Sequence, residues 1–388
     1  MAITPSTVYA GQESSYDASK VIVRQLDDHL EILNPKDFPL LQAVGLNSFD
    51  QPVQNKFVEW QFDYLMPLTD LLAANVTDTT GERITATYGE YFALHDVILL
   101  DSELMRVTSI DATNNYLYVE RGFAGSAGAT HTAAATIYRL GPARPEGSSP
   151  GYAQQVVTAQ IGNYTQIFDT YADISGTEEA LRNYAPDDLL AYRMEKRMIE
   201  LYQRMERALL YNSYRYAGTT TNKTRLSGGL DYFIHDENNI ASAALQYADI
   251  EDALKDVHDR AGPSNVPSQA WLNSYQKMKI SSWGRGSIRT ERTETMYGST
   301  VEGIVTNFGT LTLHLDHLIL QSEVWLLNLD AVMIGPLQGR GFAEWDATQP
   351  GDDVKARRVL GEYVFVVKGE DGTNDGIHVK LYGISTTL

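Results

Sequence analysis

The chain has no cysteine. That excludes disulfides, thiolate nucleophiles and cysteine-ligated metal sites at once. It also lacks an apolar run of the roughly 18–20 residues that a membrane-spanning helix needs. Its most apolar stretch, HLILQSEVWLLNLDAVMIGPL at residues 317–337, is interrupted by Glu323 and Asp330, so no membrane partner is expected. The N-terminus, MAITPSTVYAGQESSYD, has no basic region followed by an apolar run and does not read as a signal peptide. Positive charge is scarce. Lysine and arginine total 31 against 50 aspartates and glutamates, a formal net charge of −19. Tight binding of the free chain to nucleic acid needs clustered cations that displace condensed counterions, and this balance argues against it. No G-x-S-x-G elbow, no H-E-x-x-H and no internal repeat occurs.

What is present suits a folded chain. Hydrophobic residues make up 43% and charged residues 21% of 388 positions. That length predicts two or three domains, or one elongated fold with insertions. Tyrosine is frequent, at 23 residues, and its apolar body with a polar tip suits interfaces and sheets alike. Residues 1–18 are polar. Residues 19–45 carry scattered apolar anchors, and Pro35 and Pro39 forbid one continuous helix. They read as an extended arm with a short helical piece near Leu40. Phe57, Trp60, Phe62 and Tyr64 predict a strand. Residues 73–140 read as about five short strands separated by turn signals. Leu99, Leu100, Val107, Tyr116 and Tyr118 are expected to fill their core. A linker is expected from Gly141 to Gly151, and strand character returns over 152–180.

A long helix is predicted over 186–213. Pro186, Asp187 and Asp188 stand at its start, and Leu190, Met194, Met198, Leu201, Met205 and Leu209 recur at spacings of three and four. Glu200 is placed to pair with Arg204 on its surface. A loop around Gly228 and Gly229 precedes a helix capped by Asp249 and stopped by Gly262 and Pro263. A second helical segment is expected from Ser268. A hairpin turning at Asn307, Phe308 and Gly309 follows, with Leu311, Leu313 and Leu315 on one face. EYVFVVKGE and DGIHVKLYG, joined by EDGTND, are expected to close the chain as a last hairpin.

The candidate sites are weak. His314, Asp316 and His317 form the best metal-like cluster, but a strand of period two points His317 away from the other two. ERGFAGSAGATH, from Glu120 to His131, is glycine-rich. It lacks the lysine followed by Ser or Thr that closes a phosphate loop, so a tight connection is the better reading. Arg285, Arg289 and Arg292 are expected to pair with carboxylates. No catalytic residue, cofactor-binding residue or metal ligand is assigned, and no enzyme activity is expected.

The order of elements resembles the major capsid proteins of tailed bacteriophages, which share the Hong Kong 97 fold. VEWQFDYL resembles the start of that family's extended loop. HDVILLDSELMRVTSI, YVERGFAG and THTAAATIYRLG resemble its inserted small β-barrel. VEGIVTNFGTLTLHLDHLIL resembles the hairpin leading out of the axial domain. AVMIGPLQGRGFAEWDATQPGDDVKARRVLGEYVFVVK, with Gly361 and Glu362, resembles the last strands of the peripheral domain. The Su10-like subgroup is the most similar. The resemblance implies an α+β chain with an N-terminal arm (1–55), an extended loop (56–72 and 141–170) and an inserted barrel (73–140). It further implies a peripheral domain (171–224 and 336–388) with a spine helix at 186–213, and an axial domain (225–335). The implied function is self-assembly into hexamers and pentamers of an icosahedral head around double-stranded DNA, with assembly in the host cytoplasm. Portal, scaffolding and decoration proteins are the further partners it implies. A tail or baseplate component and a carboxylate-dependent hydrolase stand as alternatives.

Overall fold

The computed structural model describes residues 35–148, 158–181, 188–235, 237–283, 288–291, 300–370 and 376–386, with backbone alone at 237, 288–291 and 300–302. The expectations for residues 1–34, for Pro186 and Asp187, and for Arg285 and Arg292 fall outside these residues, as does the side chain of Arg289. The first described elements are helix α1 (Pro39–Val44) and strand β1 (Phe57–Phe62). Six strands follow: β2 (Thr69–Leu71), β3 (Arg83–Thr85), β4 (Asp96–Leu100), β5 (Glu103–Asp111), β6 (Tyr116–Glu120) and β7 (Thr136–Pro142). Next come β8 (Ala159–Tyr164), β9 (Gln166–Ser175), a short helix α2 (Gly176–Ala180) and the long helix α3 (Leu189–Tyr211). The remainder runs α4 (Leu230–Phe233), β10 (Glu237–Asn239), α5 (Tyr247–Ala261), β11 (Gln269–Leu272), α6 (Ser274–Ser281), β12 (Ile288–Glu291), β13 (Thr300–Thr306) and β14 (Gly309–Leu315). The last strands are β15 (Val324–Leu327), β16 (Val332–Pro336), β17 (Ala343–Asp346), β18 (Val354–Val367) and β19 (Val379–Tyr382). Two compact units result, one from Met1–Trp60 with Ile161–Leu388 and one from Gln61–Gln160.

The smaller unit holds one antiparallel sheet in the order β2-β7-β4-β5-β6-β3. Its two outer strands meet again at an antiparallel bridge between Leu72 and Ala86, so the sheet curls onto itself. A curled sheet has one inside, and strict alternation fills it. Ile98, Leu100, Met105, Val107, Leu117, Val119 and Ile137 are all buried there. Two of the five expected core residues are in the core. Leu100 and Val107 point in, but Leu117 and Val119 replace Tyr116 and Tyr118, and Ile98 replaces Leu99. Tyrosines suit a half-wet face, where Tyr116 takes the Arg83 guanidinium over its ring at 4.5 Å. The expected linker also starts later, because Gly141 and Pro142 still pair with Val97 and Asp96 in β7 and β4.

In the larger unit, α3 carries the predicted apolar stripe. Leu190, Met194, Leu201, Met205 and Leu209 are buried, while Met198 is partly exposed. The Asp188 carboxylate accepts the Ala191 N–H at 2.9 Å and begins the helix. Glu200 pairs with Arg197 at 2.7 Å and not with Arg204, whose Nε donates to the Glu200 carbonyl instead. The stripe packs on β9 and β18, a long antiparallel pair. The other edge of β18 is shared by β17 and then β16. Residues 48–53 run beside β16, with Ser48 Oγ accepting the Ile334 N–H and Val53 bridging to Leu337.

A seven-stranded mixed sheet, β10-β19-β15-β11-β14-β13-β12, completes this unit. Its central strands are covered on both faces. Trp271 and Trp325 join the cluster that contains α1 and the C-terminal half of α3, whereas Ala270, Leu272 and Leu326 join the cluster around α5. That explains why β15 is buried at every position, Val324, Trp325, Leu326 and Leu327. Three expectations change here. Residues 269–272 form a strand, and the helix begins only at Ser274, after Asn273 Oδ1 takes up the Tyr275 N–H. Asp249 is not the cap of α5 but sits inside its first turn, accepting the Gln246 N–H at 2.8 Å. The last two strands form no hairpin, for β18 pairs with β9, β16 and β17 while β19 pairs with β15 and β10. The β13–β14 hairpin is as expected, turning at Asn307 and Phe308. Within it Leu311 and Leu313 are buried and Leu315 is exposed.

Candidate functional site

The metal-like trio does not converge. His314 lies flat on Trp271, with ring centroids 4.6 Å apart, and burial, with the nearby Lys277 charge, lowers its pKa. Asp316 is buried and accepts the Leu318 N–H at 2.8 Å. His317 is exposed. Among the described residues no group of three or more His, Asp and Glu side chains is placed to hold a metal ion.

The glycine-rich segment wraps a buried ion cluster instead of a phosphate. Glu103 is 0% exposed. Its two oxygens accept from Arg121 Nε and Nη2 at 2.7 Å each, from the Gly122 N–H at 3.0 Å and from the Ala129 N–H at 2.8 Å. His131 Nε2 adds a contact at 3.1 Å, and its Nδ1 meets Asp101 at 2.6 Å. Burial alone would raise the Glu103 pKa, but the donors from Arg121, Ala129, His131 and Gly122 outweigh it and hold it at about 2. Gly128 has to be glycine, since a Cβ there would lie 2.4 Å from the Thr79 carbonyl oxygen.

A second hub lies in the larger unit. Glu362, buried in β18, pairs with Arg225 and with Arg340, the latter at 2.9 Å, and accepts from Thr165 Oγ1 at 2.6 Å. Beside it Asn163 Nδ2 donates to Ser227 Oγ, to the Gly228 carbonyl and to the Phe365 carbonyl at 3.0, 2.8 and 2.7 Å. These contacts tie β8, the Gly228 loop and β18 together. The buried carboxylates at the centre of the two hubs, Glu103 and Glu362, are both held by arginines and further donors of the fold. Nothing in this geometry presents a nucleophile, a base and a cleft together. Sequence reading missed both hubs, because their members are far apart in the chain and each is an ordinary charged residue locally.

The SU10 major capsid protein family matches residues 6–373. The chain belongs to that family. It is therefore a structural protein of a viral capsid and not an enzyme, which sets aside the hydrolase and tail-component readings. Among solved structures, a chain of the cyanophage A-1(L) capsid asymmetric unit is 10% identical, with 96% of this chain and 99% of that one covered and a TM-score of 0.51. A chain from Mycobacterium phage Bobi is 10% identical over 95% and 98% of the two chains, with a TM-score of 0.49. The holo-SrpI encapsulin complex from Synechococcus elongatus PCC 7942 is 13% identical over 59% and 78%, with a TM-score of 0.42. The cyanophage likeness is one of fold. No curated protein sequence matches the chain. The capsid subunit thus has an α+β fold of the Hong Kong 97 type, and its buried ion hubs serve to hold that fold.

Proposed function

We propose that this capsid protein self-assembles into hexamers and pentamers of an icosahedral phage head that encloses double-stranded DNA. Family membership across residues 6–373 carries the reading. A surface feature supports it. Leu65, Leu68, Leu71 and Leu140 are 93%, 70%, 48% and 58% exposed, all in or next to the paired strands β2 and β7. Large apolar side chains left exposed on a folded chain mark a surface that association covers. The net charge of −19 fits a container, since a wall gripping phosphate tightly would oppose release of its contents.

In this reading residues 1–55 are the arm, 56–72 and 141–170 the extended loop, and 73–140 a small barrel carried on it. Residues 171–224 and 336–388 form the peripheral domain, with α3 as its spine, and 225–335 the axial domain. Strand β19, although late in the chain, pairs within the seven-stranded sheet. Portal, scaffolding and decoration proteins are its further partners, and assembly takes place in the host cytoplasm. The test is electron microscopy of particles formed by the expressed full chain. Closed shells with fivefold and sixfold capsomers are expected, and Leu68→Glu should reduce their yield. A folded chain that stays monomeric at all concentrations would refute the proposal.

A further inference from the structure

Helix α3 carries a second face that the core does not use. Arg193, Lys196, Arg197, Arg204 and Arg207 are all exposed. At 3.6 residues per turn they fall with Glu200 inside an arc of about 100°, beside the apolar stripe, and run for roughly 20 Å along the helix. No apolar residue between 193 and 207 shares that arc. Five cations thus stand against one carboxylate, on a chain whose net charge is −19. Among the described residues only Arg197 of the five is ion-paired, with Glu200 at 2.7 Å. Arg193 donates to the Asp173 carbonyl at 2.9 Å and Arg204 to the Glu200 carbonyl at 3.2 Å, neutral acceptors that leave both charges in place. A groove beside this ridge is lined by Arg197, Arg204, Arg207, His317 and Tyr171. Asp169 also lines it, and Arg358 holds that carboxylate at 2.6 Å.

We propose that this ridge is the surface that the subunit turns to the enclosed double-stranded DNA, holding the phosphate backbone by a few salt-sensitive contacts. The inference rests on the proposed assembly around DNA and names the face that meets it. Two features favour a phosphate backbone over a protein partner. A stable protein interface needs a desolvated apolar centre inside a polar rim, and the arc offers none. A nucleic-acid backbone needs only cations that replace condensed counterions, and planar guanidinium groups take phosphate oxygens in pairs. A duplex carries one charge per about 1.7 Å of its axis, so a ridge of roughly 20 Å passes several phosphates. With Arg197 shared with Glu200, about four cations per subunit are left to meet them. Such a contact is weak singly and sums over many copies, which agrees with a wall that must let its contents go.

The experiment is fluorescence anisotropy of a short labelled duplex of mixed sequence, titrated with the purified full chain from about 20 to about 200 mM salt. Four phosphate contacts predict a log–log slope of about −3.6, a loss of roughly a hundredfold between about 50 and about 200 mM. Arg204→Glu with Arg207→Glu should flatten the slope by about 2 and weaken binding roughly tenfold at low salt. Lys255→Glu with Lys355→Glu makes the same change in net charge at exposed sites on α5 and β18, and should leave the slope unchanged. Thermal unfolding checks that both variants fold, and Arg204→Gln with Arg207→Gln serves if the reversal does not. No wild-type affinity at about 20 mM salt overturns the proposal. So does an equal loss in both variants, which traces the binding to the overall field of the chain. A ridge variant that keeps full DNA affinity but forms no shells assigns the ridge to a protein contact and overturns it as well. Shells are scored separately by electron microscopy. Wild-type shells without DNA affinity sink this inference alone, whereas binding through the ridge without wild-type shells upholds the ridge and refutes the assembly reading.

Discussion

Arg121 holds Glu103 through two parallel contacts of 2.7 Å, with the arginine side chain 6% and the glutamate 0% exposed. A buried ion pair with every lone pair occupied is stable as a pair and costly to halve. Arg121→Met should therefore destabilise the smaller unit by about 3–5 kcal/mol, measured by denaturant unfolding followed by exchange protection in β5. The same site predicts acid sensitivity. The Glu103 pKa is depressed from 4.5 to about 2, so its contribution is complete above 4.5 and is lost as pH falls toward 2. Glu103→Gln should flatten that part of the stability profile.

Leu201 and Met198 separate burial from periodicity. Both lie on the apolar stripe of α3, but Leu201 is 2% exposed whereas Met198 only packs against the cluster from its margin. Leu201→Ala should cost about 2–5 kcal/mol, and Met198→Ala distinctly less, because a rim site leaves little cavity. Equal losses in urea unfolding would show that the margin is as tightly packed as the centre.

His378 predicts a second pH effect in the larger unit. It is 0% exposed, and its Nδ1 accepts the Asn328 N–H at 3.2 Å, which requires the neutral ring. Burial pushes its pKa down from 6.5 to about 4. The folded state therefore resists protonation that the unfolded chain accepts, and stability falls as pH drops from 6.5 toward 4. The slope is at most about 1.4 kcal/mol per pH unit. In His378→Gln, thermal unfolding between those values should lose this slope, whereas an unchanged slope would place the acid sensitivity elsewhere.

The sequence by itself determined the elements whose burial is one-sided. The α3 stripe was legible because only one face of that helix meets the core, which leaves a period of three and four in the residue types. The β13–β14 turn was legible because a two-residue connection between alternating strands is a local signal. The lack of cysteine and of catalytic motifs was equally plain. Only the tertiary structure decided the rest. Strands β11 and β15 are covered on both faces, so they carry no period, and QAWL was readable as the start of a helix. Whether Tyr116 and Tyr118 or Leu117 and Val119 face inward is a one-residue choice of phase, and both sets suit a strand. The partners of β18 and β19 come from distant parts of the chain. Glu206 stands among the charged residues of α3 in the sequence, and only the fold takes it out of water, where it accepts the Leu41 N–H of α1 because a buried carboxylate oxygen needs a donor.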